Sequence, residues 1–177
     1  LTAVHTPAVL PSYFSFGHFP VADAAYLKCN VIPSLKQTDH ICIMEENRWK
    51  DLYPLYSYFS EKYSGIIKRT EADFVRKAAD YAADGGKSIA YIEHEIIKAY
   101  AFYYQTDEEM ICVEAVAEDG YWEKLMEGLF ALGKGLSFSA KLPPDVKVSF
   151  PFATLGKFQK GVMGLCNAGA LLKTLNL

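Results

Sequence analysis

The chain has 177 residues, of which 51% are hydrophobic and 22% charged, with 12 tyrosines and 11 phenylalanines. This composition is typical of a folded globular domain and excludes a largely disordered chain. The formal net charge of −3, with lysine and arginine scattered along the sequence, argues against a nucleic-acid partner.

The cysteines and histidines form no pattern used by metals or disulfides. None of the cysteines stands in a CxxC pair, and no histidine stands four residues from another. Buried free thiols in a reducing cytoplasm are therefore favoured, and no metal site is expected. No apolar run is long enough to span a bilayer, so no membrane partner is expected. The cysteines are Cys29, Cys42, Cys112 and Cys166.

The first half of the chain predicts two strands and two helices. Residues 24–32 and 41–44 have β-type character. From Trp49 to Tyr63, apolar residues recur at spacings of three and four, which predicts a helix in which Pro54 falls early. Thr70 resembles the cap of a second helix, which ends at Gly85-Gly86.

The second half predicts a hairpin followed by a strand, a helix and further strands. Residues 88–93 and 96–104 form the hairpin, and 110–117 returns beside it as a third antiparallel strand. A helix follows over 121–132, with Trp122, Leu125, Met126, Leu129 and Phe130 toward the sheet. Beyond it the pattern predicts a strand over 136–142, a further extended piece over 146–152, a strand over 161–166 and the start of a helix over 168–177.

The join between the 110–117 strand and the next helix carries the sequence Glu118-Asp119-Gly120. Acyl-CoA enzymes place a glycine-rich turn at such a join, and its free N–H groups hold pyrophosphate. Here one glycine stands beside two carboxylates, which repel a phosphate. The sequence therefore predicts that this chain lacks the usual cofactor cradle.

The order helix, helix, three strands, helix, strand resembles the Gcn5-related N-acetyltransferase (GNAT) fold, an α/β sandwich of mixed α+β type. Its mostly antiparallel central sheet is flanked by helices. The chain further resembles the central, second domain of Eis-type (enhanced intracellular survival) multi-domain acetyltransferases of bacteria. The motifs that carry this resemblance are Leu55-Tyr-Ser-Tyr-Phe59, Gly65-Ile-Ile-Lys-Arg69, Ala99-Tyr-Ala-Phe-Tyr-Tyr104, Val113-Glu114 and Lys160-Gly-Val-Met163.

The resemblance implies a domain organisation. Residues 1–34 would be the tail of a preceding acetyltransferase domain or its linker strand, and 35–155 the GNAT-like domain. Residues 156–177 would begin a sterol-carrier-like region or form a terminal helix. In that family the first domain holds acetyl-CoA and the second is a degenerate copy. The resemblance thus implies that the parent enzyme uses acetyl-CoA and that this chain binds no cofactor.

Three residues are candidates for structural or pocket-wall roles. Gly65 permits a left-handed backbone where the first helix ends. Arg69 is expected to pair with Glu114 or another carboxylate, and a structural ion pair is favoured over a functional one. Glu114 lies in an apolar strand, so an inward orientation requires a partner or a proton. No residue is assigned a catalytic or metal-binding role, and Tyr100, Tyr103 and Tyr104 are expected to serve packing.

The favoured function is a non-catalytic GNAT-like region that braces the catalytic domain of an N-acyltransferase and lines the pocket for an amine substrate. Its expected partners are the catalytic and sterol-carrier-like domains of the same protein, with a homo-oligomer left open. One alternative is a self-contained acyl-CoA N-acetyltransferase that uses an atypical turn at residues 118–121. Another alternative is a protein-interaction module with an exposed apolar surface.

Overall fold

The computed structural model describes residues 18–36, 38–63 and 66–164. These contain seven strands, a 3₁₀ helix at Glu46–Leu52 and three α-helices. The α-helices are α1 (Tyr53–Lys62), α2 (Glu71–Ala83) and α3 (Trp122–Leu132). The strands are β1 (His18–Cys29), β2 (Ile41–Ile43), β3 (Lys87–Glu93), β4 (Ile96–Gln105), β5 (Glu109–Ala117), β6 (Ser137–Leu142) and β7 (Thr154–Gly164).

The strands form one sheet in the order β2-β3-β4-β5-β6-β1-β7. The pairs β2–β3, β3–β4, β4–β5 and β1–β6 are antiparallel, whereas β5 and β6 are parallel. A parallel pair needs a crossover connection, and α3 supplies it. The mixed α+β sandwich with a mostly antiparallel sheet, predicted from the sequence, is confirmed.

The chain divides into two compact units. One is Ala25–Gly156, and the other combines Leu1–Ala24 with Lys157–Leu177. All the side-chain contacts described below lie within Ala25–Gly156. The assignment of the flanking stretches to neighbouring domains stays a prediction.

The helix predicted over residues 49–63 is divided into two parts. A 3₁₀ helix ends at Leu52, and α1 then begins with Pro54 in its first turn, where a missing N–H costs no hydrogen bond. The α2 helix begins as predicted, because the Thr70 hydroxyl accepts a hydrogen bond from the Asp73 N–H at 3.2 Å. Ala82 is exposed at the last turn of α2, although the apolar pattern of the segment places it on the same side as Phe74 and Ala78.

The two faces of the sheet carry different helices. Phe74 of α2 packs its ring against Tyr53 and Tyr56 on one side and against Tyr100 and Phe102 of β4 on the other. On the opposite face, α3 buries the five apolar side chains that the sequence pattern assigned to it. Gly128 of α3 lets the helix lie against Ile41, since an added Cβ would come within 2.4 Å of that side chain.

The pairing of β5 with its two neighbouring strands is irregular on both sides. A bulge opposite Phe102 and Tyr103 leaves Val113 without a partner in the register of β4. The parallel ladder with β6 ends at the pair Cys112↔Ala140, although β5 continues to Ala117. The two strands therefore separate toward the end of β5 that leads into α3.

Residues 145–152, hereafter the strap, follow Pro143 and Pro144, which come directly after β6. These residues form no hydrogen-bonded strand, and the sequence predicts only an extended piece over 146–152. Val146 and Val148 are nevertheless buried while their neighbours are exposed, as in an extended segment with one face inward. The rings of Phe150 and Phe152 lie 5.0 and 5.2 Å from the Phe130 ring of α3. The strap thus packs along α3.

Candidate functional site

A charged network connects the segment before α2 to the centre of the sheet. Nη1 of Arg69 lies 2.8 Å from Oε2 of Glu114 on β5. The Tyr100 hydroxyl donates to the other carboxylate oxygen, Oε1, at 3.0 Å. The side chains of Arg69 and Glu114 are 18% and 14% exposed, so this ion pair is mostly withdrawn from water. Both carboxylate oxygens of Glu114 are therefore engaged.

Tyrosines surround the pair. The Arg69 guanidinium lies over the Tyr56 ring, 4.8 Å from its centroid. The Tyr56 hydroxyl donates to the Ile67 carbonyl, and the Tyr53 hydroxyl donates to the Arg69 carbonyl at 3.1 Å. Two side chains of α1 thus hold the backbone on either side of residue 68, which fixes where the guanidinium points.

The pKa values of this network follow from burial and charge. Burial acts to lower the pKa of Arg69, but the charge and hydrogen bond of Glu114 outweigh it and the net shift is upward. Burial raises the pKa of Tyr100 well above its usual value, with the Glu114 carboxylate adding to the effect. The network thus combines a mostly buried ion pair with a protonated phenol, and it joins the segment before α2 to β5.

A second candidate is a cavity at the N-terminal end of α3. Its volume is about 210 Å³. The end of α1, the β5–α3 turn, the first turn of α3 and the start of the strap surround it. The lining residues are Tyr63, Asp119, Gly120, Trp122, Glu123, Asp145, Val146 and Lys147.

Each of the three carboxylates in this cavity already has a partner in the chain. Lys62 Nζ lies 2.7 Å from Oδ1 of Asp119. The Tyr63 hydroxyl donates to Oδ2 of Asp145 at 3.2 Å, and Oε1 of Glu123 accepts from the Ser149 N–H at 3.0 Å. Burial, with the Asp145 hydrogen bond second, raises the pKa of Tyr63 to about 12.

These residues do not fit the pyrophosphate of an acyl-CoA. The N-terminal end of a helix attracts anions, but Asp119, Glu123 and Asp145 place negative charge there already. The Tyr121 N–H, which leads into the helix, donates to the Glu118 carbonyl at 3.1 Å and is not available to a ligand. The turn thus presents carboxylates beside the helix N-terminus, where the phosphate of such a cofactor would lie.

The structure brings two of the three candidate residues together. Arg69 and Glu114 form the ion pair that the sequence suggested, and Gly65 lies outside the described residues. Sequence reasoning missed Tyr63 and Asp145, which stand 82 positions apart and carry no local signal of their contact. The structural or pocket-wall roles of Gly65, Arg69 and Glu114 remain a prediction.

The described residues bear on three further expectations, which concern free thiols, metal sites and membrane-spanning segments. Cys29 and Cys112 are buried free thiols and Cys42 is partly buried, while Cys166 lies outside the described residues. Within the described ranges, no group of three or more potential metal-ligating side chains is positioned to hold an ion. No helix in that part of the chain combines the length and apolar character needed to cross a membrane.

Solved structures similar to this chain include proteins described as N-acyltransferases or N-acetyltransferases. A probable N-acyltransferase from Enterococcus faecalis superposes with a TM-score of 0.62 at 15% identity, over 90% of this chain and 43% of that one. A GCN5-related N-acetyltransferase from Anabaena variabilis gives 0.61 at 12% identity, over 89% and 44%. Eis1 from Mycobacterium abscessus gives 0.54 at 15% identity, over 96% and 48%.

The similarity establishes a GNAT-like fold. The chain spans less than half the length of these three structures. No protein-family model matches the sequence, and no curated protein matches it either. The fold predicted from the sequence is therefore supported by structure alone.

Proposed function

We propose that this chain is a non-catalytic GNAT-like region of an acetyl-CoA-dependent N-acyltransferase that acts on an amine. In this proposal it braces the catalytic domain of the same protein, lines part of the substrate pocket, and leaves acetyl-CoA to that domain. Its other partner is a sterol-carrier-like domain. The GNAT-like fold and the greater length of the similar structures support this assignment.

The observation that carries the proposal is the acidic β5–α3 turn. A cofactor phosphate at the first turn of α3 would lie beside Asp119, Glu123 and Asp145, with Lys147 as the one basic side chain that lines the described cavity. Like charges repel, although all three acidic residues are exposed and water and salt therefore screen the repulsion. A scaffold that never binds acyl-CoA has no need of a phosphate site there.

The Arg69–Glu114 pair supports the same interpretation. Glu114 is the acidic side chain on the central strand β5 that faces the helices α1 and α2, and both of its oxygens are bound. A general base requires a free oxygen within reach of the substrate proton. Glu114 instead connects the segment before α2 to the sheet, which suits a rigid support.

The decisive experiment is isothermal titration of the folded chain with acetyl-CoA, followed by an acetyl-transfer assay against primary amines. We expect no binding heat at millimolar cofactor and no transfer. The titration is repeated at high salt, because screening weakens charge repulsion and would reveal a cofactor site masked only by the acidic residues. Micromolar binding together with acetyl transfer would instead show a self-contained acetyltransferase with an atypical turn at residues 118–121.

A further inference from the structure

The strap follows α3 from the first turn of the helix to its third. At its start, Asp145 is bound by Tyr63, and Val146 lies with Trp122 in the wall of the cavity. Further along, the Ser149 N–H donates to Glu123. At its end, two phenylalanines pack edge-on against Phe130. Polar contacts at the start and middle, and aromatic contacts at the end, hold the segment in one position.

The start of the strap lies across the cavity from the β5–α3 turn, near the region where β5 and β6 separate. Their ladder ends at Cys112↔Ala140, and β5 continues for five more residues before the turn into α3. Where two strands separate beneath a helix, a groove opens between the sheet and that helix, and side chains or a ligand must fill it. Val146 and Val148 of the strap are 5% and 7% exposed, and Val146 lies in the cavity wall, so apolar side chains of the chain itself occupy space beside the first turn of α3.

The remaining space is small. The cavity of about 210 Å³ is below the range of roughly 300–1,000 Å³ that pockets for drug-sized ligands occupy. An acyl-CoA is larger than such ligands. To enter, it would have to displace the strap, with its buried valines and its contacts to Tyr63, Glu123 and Phe130.

We propose that the strap is the resident occupant of the groove along α3, and that the chain blocks acyl-CoA there with its own backbone as well as with charge. The inference rests on the proposed function and deepens it, because it assigns the exclusion of acyl-CoA to the strap. The strap is then a constant part of the fold rather than a lid that opens for a ligand.

The first test is amide hydrogen exchange of the intact chain. The Ser149 amide should exchange more slowly than an unstructured peptide. Glu123→Gln should accelerate it by about 3- to 10-fold, because a charge-assisted hydrogen bond becomes a neutral one. Glu127→Gln is the matched control, since Glu127 is exposed one turn further along α3 and should leave Ser149 unchanged. Exchange of Ser149 at the unstructured rate in the wild-type chain would overturn the proposal.

The second test repeats the exchange with millimolar acetyl-CoA. We expect the strap and the first turn of α3 to keep their exchange rates. Faster exchange across residues 146–152 would mean that the cofactor displaces the strap, and it would overturn the inference even without acetyl transfer. Acetyl transfer with an unchanged strap would instead overturn both the proposed function and the inference that the strap excludes acyl-CoA.

Discussion

Arg69 shows how a single side chain determines whether a buried acid is tolerated. Its guanidinium compensates the Glu114 carboxylate, which would otherwise lie unpaired near the centre of the sheet. Arg69→Met removes the charge and keeps most of the side-chain volume. We expect it to lower the free energy of unfolding by about 2–3 kcal/mol, less than for a fully buried pair because both side chains keep some exposure. Urea denaturation at neutral pH measures the loss.

Arg48→Met is the matched control for this prediction. Arg48 pairs with Asp51 at 3.2 Å, but these side chains are 48% and 38% exposed. Its loss should change stability by no more than about 0.5 kcal/mol. The double variant R69M/E114L should be less destabilised than Arg69→Met alone, since it removes the orphaned carboxylate. Equal losses for Arg48→Met and Arg69→Met would mean that burial of the Arg69–Glu114 pair has no energetic consequence.

The tip of the β3–β4 hairpin stores backbone strain. His94 and Glu95 have φ angles of 52° and 64°, in the left-handed region that disfavours side chains with a Cβ. Asn-Gly is the preferred sequence for such a two-residue turn. We expect Glu95→Gly to raise the free energy of unfolding by about 0.5–1 kcal/mol, as measured by urea denaturation.

Glu95→Ala separates strain from charge at this turn. It removes the same carboxylate but keeps the Cβ, so the left-handed conformation stays unfavourable. We expect it to give no stabilisation. If Glu95→Ala stabilises the protein as much as Glu95→Gly, the effect arises from the lost charge and the strain explanation is wrong.

At the scale of elements, the start of α2 depends on its cap. The Thr70 hydroxyl accepts from the Asp73 N–H and donates to Oδ2 of Asp73 at 2.8 Å. Thr70→Ala leaves that N–H without a partner in the first turn and should cost about 1 kcal/mol of stability. Thr70→Ser keeps the hydroxyl and should therefore keep most of the stability that the cap contributes. Thermal unfolding of the two variants compares them, and equal melting temperatures would show that the cap contributes nothing.

Local patterns predicted most elements because their causes are local. The apolar spacing in α3, the Thr70 cap of α2 and the alternation in β6 each depend on residues within a few positions. The division of the predicted 49–63 helix at Leu52 is a smaller departure. Pro54 signalled it, since proline is tolerated only in the first turn of an α-helix.

The candidate site was less predictable because its contacts join distant parts of the chain. The Arg69–Glu114 pair could be suggested from the sequence, since an acid within an apolar strand must find a partner. Nothing local indicates that Tyr63 bonds Asp145 or that Glu123 bonds Ser149. These contacts depend on the path of the strap after β6, which two prolines and the packing of Phe130 determine together.

At the scale of the whole molecule, buried phenols and a buried thiol make the fold sensitive to alkali. Burial, then the Asp145 hydrogen bond, raises the pKa of Tyr63 from 10.0 to about 12. Burial, then the Glu114 charge, does the same for Tyr81. For the Cys112 thiol the same two causes raise the pKa from 9.0 to about 12. In the unfolded chain these groups ionise near their ordinary values.

The sign of the pH dependence follows from linkage. Between the ordinary and the raised pKa, the native protein holds protons that the unfolded chain has lost, so stability falls as pH rises. The contribution is complete below about pH 9 and is lost progressively toward pH 12. Each such group adds a slope of at most about 1.4 kcal/mol per pH unit within its window, and less for Tyr63 and Tyr81, because solvent screens the interactions of side chains that keep some exposure.

Tyr63→Phe tests this dependence at one site of the cavity. The variant lacks one of the shifted protons, so its unfolding free energy should fall less steeply between pH 10 and 12, by about one proton's slope. Urea denaturation across that range measures it, and ultraviolet absorbance follows tyrosinate formation. Tyr58→Phe is the control, because Tyr58 is 65% exposed. Because ionisation of Tyr63 also removes the proton that binds Asp145, this tyrosine should ionise at higher pH than a tyrosine exposed to water. Titration of every tyrosine near pH 10 in a still-folded chain would contradict the raised pKa values of Tyr63 and Tyr100.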